Sequence, residues 1–156
     1  MVGANANHKH AGAGGSSQVK AFYEITPLQG LKNSFSDNTE INHAEGYAIK
    51  EGGKADPKMI AEAVKVVSEA DEAIYVGGWI HGFSDEWGDN AYDAEAEDKP
   101  SMELPFGQEE LIDALLVANP NTVIVLMGGG PIDMRGWKDK AKVIVQAWYP
   151  LSLIHI

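Results

Sequence analysis

Gln108-Glu109-Glu110-Leu111-Ile112-Asp113-Ala114-Leu115-Leu116-Val117-Ala118, then Asn119-Pro120-Asn121, then Thr122-Val123-Ile124-Val125-Leu126-Met127 and Gly128-Gly129-Gly130, decide the fold class. The first run has apolar residues at helical spacing and predicts a helix from Gln108 to Ala118. The apolar run from Thr122 to Met127 has strand length, and the glycines end it. Working outward, the same order recurs. Asp56 and Pro57 form a helix cap followed by a proline at the first helical position, and Ile60, Ala63, Val64 and Val67 fall on one face behind them. Ala73 to Val76 is a short apolar strand ending in Gly77-Gly78, and Val143 to Trp148 is another. Thr26 and Pro27 mark a further short helix, Ile41 to Tyr47 a brief strand, and Val19 to Tyr23 an extended run after a glycine-, serine- and histidine-rich loop. Strand and helix in alternation predict an α/β domain with a mostly parallel sheet flanked by helices on both faces. In open sheets of this kind ligands bind outside the carboxyl ends of the strands.

The chain has 156 residues, the size of one domain, enough for a core burying roughly 70% of the unfolded chain's surface. Its formal charge of −11 argues against nucleic acid, whose phosphates demand a basic partner, and against an anionic membrane face. Without cysteine there are no disulfides and no thiolate metal sites, and the compartment stays open. No apolar run approaches the roughly 18 residues of a membrane span.

From Gly77 to Leu104 the chain crosses a stretch far longer than the usual 4 to 6 or so residues of a connection, which marks it as functional or disordered. It carries Trp79, Phe83 and Trp87, aromatic residues suited to stacking on a sugar ring, although a tryptophan at a strand end is more often rim packing and Trp87 alone is kept for that role. It also carries acids that include Asp85, Glu86, Asp89, Asp93, Glu95, Glu97 and Asp98. The acids lack the alternating spacing of a calcium loop, so a solvated acidic loop is the plain reading and no metal is assigned. His8 and His10 have no third ligand at useful spacing and read as solvated loop residues. Gly12 to Ser16 lacks both the third glycine of a dinucleotide fingerprint and the Gly-Lys-Ser/Thr of a phosphate loop, so no cofactor is assigned either. Gly128 to Pro131 permits close backbone approach, Asp133 and Trp137 cap and pack the next segment, and Asp98 with Lys99 reads as an ion pair internal to the loop.

Several separated motifs resemble the second domain of glycoside hydrolase family 3, the β-glucosidases and β-xylosidases. They are Gly14-Gly15-Ser16-Ser17, Tyr23 to Leu31, the acidic run from Glu95 through Leu104-Pro105, the Gln108 helix with Asn119-Pro120-Asn121-Thr122, and Ala147-Trp148-Tyr149-Pro150. The family has Glu-Gly-x-Asp-Arg where this chain has Glu95-Ala96-Glu97-Asp98-Lys99, so Ala96 replaces the common glycine and Lys99 the arginine. The resemblance implies a retaining β-glycosidase acting on terminal non-reducing β-linked glucose. Glu95 would be its general acid/base and Trp87 a substrate-stacking residue. Asp93, Glu97 and Asp98 beside Glu95 would raise its carboxyl pKa by like-charge repulsion. The nucleophile would come from a preceding (β/α)8 barrel in the same chain, and the partner would be a carbohydrate, with neither nucleic acid nor membrane involved. β-Xylosidase or α-arabinofuranosidase activity shares the motifs, and a non-catalytic sugar-binding or structural α/β module is the reading from another class. Residues 1 to 150 are then expected to be an internal piece of a longer enzyme, with Met1-Val2 the end of a strand. The tail Leu151 to Ile156 resembles a translated sequencing adapter and is expected to be non-native.

Overall fold

A computed structural model describes residues 1–10, 21–36, 38–83, 92–94 and 98–149. Three parallel strands form its sheet in the order β1-β2-β3, namely β1 (Ile74–Gly78), β2 (Val123–Met127) and β3 (Val143–Gln146). Three helices pack on it: α1 (Pro27–Ser34), α2 (Pro57–Ser68) and α3 (Gln108–Ala118). Each strand came where an apolar run was read, although β1 extends into the glycines and β3 stops at Gln146.

The helix starts follow from local chemistry. Thr26 Oγ1 accepts the Gln29 amide at 3.2 Å and Asp56 Oδ1 accepts the Lys58 amide at 2.9 Å, each just before a proline that has no amide to satisfy. α3 has no side-chain cap, and Glu109 and Glu110 in its first turn face the positive end of the helix dipole instead.

Side chains alternate across the strands and divide the core in two. Tyr75, Ile124 and Leu126 pack with Ala63 and Val67 of α2 and with Leu111, Ile112, Leu115 and Leu116 of α3. Val76 and Met127 pack with Leu28 and, at the margin, Leu31 of α1, on the opposite face. The expectation of a parallel sheet covered by helices on both faces is therefore met. Each large apolar side chain buried in this way stabilises the fold by about 1.5 to 3 kcal/mol.

Beyond β1 the sheet continues through Val2, which makes parallel bridges to both Tyr75 and Ala44. The Val2 amide donates to the Ile74 carbonyl and its carbonyl accepts from Val76, both at 2.8 Å. The strand expected over Ile41 to Tyr47 is thereby reduced to its one bridging residue, Ala44, because only Val2 stands beside it to form a ladder. No strand forms at residues 21 to 23, and the rest of the expected run from Val19 lies outside the described residues. The tail from Leu151 to Ile156 lies outside them too. Among the described residues no helix is long and apolar enough to cross a membrane.

One polar clamp fixes the carboxyl end of β1. Gln108, fully buried at the start of α3, accepts the Gly78 amide at 2.7 Å and donates to the Gly78 carbonyl at 2.8 Å. Its oxygen also accepts the Tyr75 hydroxyl at 2.6 Å. Gly78 itself has φ of 122° with the Met127 carbonyl where a β-carbon would stand, so no other residue fits the clamp. Replacing Gln108 by leucine preserves volume but leaves the Gly78 amide and carbonyl buried without partners and removes the acceptor of the Tyr75 hydroxyl. Each such group costs about 1 to 3 kcal/mol. Urea denaturation of Gln108→Leu is expected to show a loss of at least about 3 kcal/mol, against under about 1 kcal/mol for the exposed Gln29→Leu.

Candidate active site

At Gly78 the chain leaves the sheet through Trp79, Ile80 and His81, all buried. The Trp79 amide donates to the Met127 carbonyl at 2.8 Å, and its carbonyl accepts Asn5 Nδ2 at 3.1 Å. Asn5 sits in the short 3-10 turn Ala4–Asn7 that follows Val2, and its side-chain oxygen accepts the Tyr47 hydroxyl at 2.5 Å. The Asn5 carbonyl accepts His10 Nε2 at 3.2 Å. Burial, then the neighbouring His8, pushes the His10 pKa down to about 3, so the ring is neutral at neutral pH with its proton on the donating Nε2. His10 is thus part of the support for the Trp79 backbone and not the solvated loop residue that its spacing to His8 suggested.

The carboxyl ends of all three strands converge on Asp93. Its Oδ2 accepts the Gly129 amide, just past β2, at 2.8 Å, and the hydroxyl of Tyr149, just past β3. Its Oδ1 lies 3.0 Å from Lys99 Nζ, in a pair whose side chains are only 9% and 16% exposed. Its main-chain carbonyl accepts His81 Nδ1, past β1, at 2.9 Å. The His81 ring lies against that of Tyr149 with centroids 3.7 Å apart. Burial lowers the His81 pKa in spite of the opposing pull of the Asp93 contacts, and burial, followed by the hydrogen bond to Asp93, raises that of Tyr149. His81 is therefore a neutral ring and Tyr149 a protonated donor at neutral pH.

Lys99 completes the cluster. Its ammonium lies 4.8 Å from the centroid of the Trp79 ring, a cation–π contact, and 2.9 Å from where a β-carbon on Gly130 would stand. The ion pair to Asp93 is close yet lacks the alignment of a directed hydrogen bond, so the donors of the ammonium are unfilled among the described residues. His81 Nε2 and the indole nitrogen of Trp79 are likewise buried without a partner among them.

This geometry revises several readings. The partner of Lys99 is Asp93, not Asp98, because the fold brings Asp93 and Lys99 together at the strand ends. Asp93 is charge-compensated, which reduces the repulsion it could exert on its neighbours. Its lone pairs are engaged on both oxygens, which suits an anchor and not a proton donor. Trp79 is 1% exposed, with Tyr92 edge-on at 5.9 Å and Lys99 over its ring, so it packs and cannot stack on a sugar. Phe83 is half-buried against Tyr92. Gly129, in the segment read as permitting close backbone approach, contributes its amide to Asp93. Trp137 is buried and Asp133 accepts the Arg135 amide at 3.1 Å, in the capping and packing roles expected of them. Glu95 and Trp87 lie outside the described residues. Among the described residues no group of three or more metal-ligating side chains gathers. Asp93 and Tyr149 were visible in the sequence only as an acid among acids and as part of a motif. Their meeting depends on the third strand.

A separate groove of about 540 Å³ lies between α1 and the sheet, lined by apolar side chains such as Tyr23, Ile25, Leu31, Val76 and Met127. Among the described residues Glu24 is the only carboxylate on its wall, so they offer no pair of acids there.

The sequence pattern of the glycosyl hydrolase family 3 C-terminal domain matches residues 1–152. The chain is 35% identical over 158 aligned residues to the β-glucosidase BoGH3A of Bacteroides ovatus, an alignment that covers 96% of this chain and 20% of that protein. It is 29% identical to thermostable β-glucosidase B of Acetivibrio thermocellus over 95% of this chain and 18% of that one. In structure it is similar to the GH3 β-glucosidase of Bifidobacterium adolescentis, with a TM-score of 0.75 and 25% identity over 95% of this chain and 20% of the other. The chain thus spans about one fifth of the length of these relatives. By its sequence pattern, its relatives and its parallel α/β architecture, it belongs to glycoside hydrolase family 3, whose C-terminal domain it represents.

Proposed function

We propose that this domain serves a retaining β-glycosidase that removes terminal non-reducing β-linked glucose, and that Glu95 is its general acid/base. The observation that carries the reading is the anchoring of Asp93 and Lys99, which flank the Glu95 stretch, at the carboxyl edge of the parallel sheet. That is the edge where α/β sheets present their ligands. The relatives named above are β-glucosidases, which favours glucosides over the xylosides and arabinosides that the shared motifs also allow. Trp87 is the proposed stacking surface for the sugar.

Glycoside hydrolysis with retention needs a nucleophilic carboxylate and a protonated carboxyl about 5 to 5.5 Å apart across the scissile bond. The domain supplies the second, and the first comes from a barrel domain in the same protein. Glu95 protonates the departing oxygen, then removes a proton from the water that releases the sugar.

The 156-residue chain alone is accordingly expected to show no turnover of an aryl β-glucoside. Activity of the purified chain would sink the two-domain division of labour. In the enzyme that carries this domain with its barrel, Glu95→Ala is expected to slow cellobiose hydrolysis by about 10²- to 10⁴-fold. Activated aryl glucosides should suffer less in the first step, and azide should partly restore turnover by attacking the glycosyl-enzyme without base assistance. Glu97→Ala should show neither effect. Activity within a few-fold of the parent for Glu95→Ala on cellobiose, with abolition by Glu97→Ala, would move the role to the neighbouring carboxyl.

A further inference from the structure

We propose that Asp93 is a positioning residue for the acid/base Glu95, itself anchored at the strand ends through Lys99, Gly129 and Tyr149. The proposal rests on the assignment of Glu95 and adds the device that places it. Asp93 precedes Glu95 by two residues and Lys99 follows it by four, so in sequence Glu95 lies between the two members of an ion pair. With consecutive α-carbons 3.8 Å apart, Glu95 cannot stray more than about 8 Å from the Asp93 α-carbon. Fixing Asp93 therefore bounds where the Glu95 carboxyl can be.

The anchoring is unusually complete for a side chain in a long connection. One carboxylate takes the Gly129 amide from the end of β2, the Tyr149 hydroxyl from the end of β3 and the ammonium from the far side of its own segment. The carbonyl of the same residue takes His81 from the end of β1. Neither Asp93 nor Lys99 has a solvent-facing charge to explain its presence. An exposed ion pair would hold nothing in place, whereas a buried one that also accepts two directed hydrogen bonds defines a single geometry. Removing the negative charge would strand Lys99 in its buried site over Trp79, so the segment would shift to let the ammonium reach water.

The test uses the whole enzyme, with cellobiose and 2,4-dinitrophenyl β-D-glucoside as probes. A misplacement of about 1 Å costs up to about 10²-fold in rate. Asp93→Asn is thus expected to lower kcat on cellobiose by about 10- to 100-fold, with KM within about two-fold of the parent. On the dinitrophenyl glucoside, whose departure needs no proton, kcat/KM should fall by less than about three-fold. Added to Glu95→Ala, the same substitution should change cellobiose turnover by less than about two-fold, because its effect acts through Glu95. Tyr149→Phe removes one hydrogen bond and no charge. It should give a smaller loss with the same substrate dependence, and it carries the test if Asp93→Asn does not fold. Equal losses on both substrates, persisting in the Glu95→Ala background, would mean that Asp93 merely holds the fold together and would overturn the proposal. A harmless Glu95→Ala would overturn the acid assignment and this proposal with it. A leaving-group-selective Glu95→Ala beside an unselective Asp93→Asn would overturn the positioning role alone.

Discussion

The Gln108 side chain, buried between the start of α3 and the end of β1, is the contact on which the strand-end architecture depends. It reads both main-chain groups of Gly78, at 2.7 and 2.8 Å, as a neighbouring strand would. A backbone amide and carbonyl at the last residue of a buried strand must be satisfied by something, and here a helix supplies the partner. α3 is thereby locked to β1 at one point, and the direction in which Trp79, Ile80 and His81 leave the sheet is set. The 3-10 turn at Ala4–Asn7 repeats the device one strand over, with Asn5 reading the Trp79 carbonyl.

On that frame an acidic chain assembles a locally balanced site. Its net charge of −11 would make any cluster of carboxylates self-repelling. Among the described residues, the carboxylate at the strand ends, Asp93, is matched by a lysine at 3.0 Å, a backbone amide and a phenol kept protonated by burial. Its charge is thus spent on holding geometry. After β2, Gly130 leaves room for the ammonium, which lies 2.9 Å from where a β-carbon on that glycine would stand.

Membership of glycoside hydrolase family 3 gives this arrangement its context. The chain accounts for about one fifth of the length of the relatives to which it is similar. Its core is closed by packing on α2 and α3 on one face of the sheet and on α1 on the other.

The sequence by itself determined the α/β class, the limits of α3, the proline-led starts of α1 and α2, and the apolar runs of the three strands. These are local properties: a cap's oxygen meets an amide two or three residues away, and burial repeats with the period of the element. It also carried the family motifs, because their order along the chain survives without any fold. Tertiary structure decided what depends on contacts between distant residues. The strand read over Ile41 to Tyr47 shrank to Ala44, since a strand is defined by its neighbour and only Val2 stands there. Trp79, whose place at a strand end suggested packing, is buried beneath Lys99. Lys99 chose Asp93 over the adjacent Asp98 because the ends of β1, β2 and β3 gather His81, Gly129 and Tyr149 around that one carboxylate. No spacing in the chain encodes that choice, for the groups involved are 12, 36 and 56 residues from Asp93 and become neighbours only through the parallel register of the sheet.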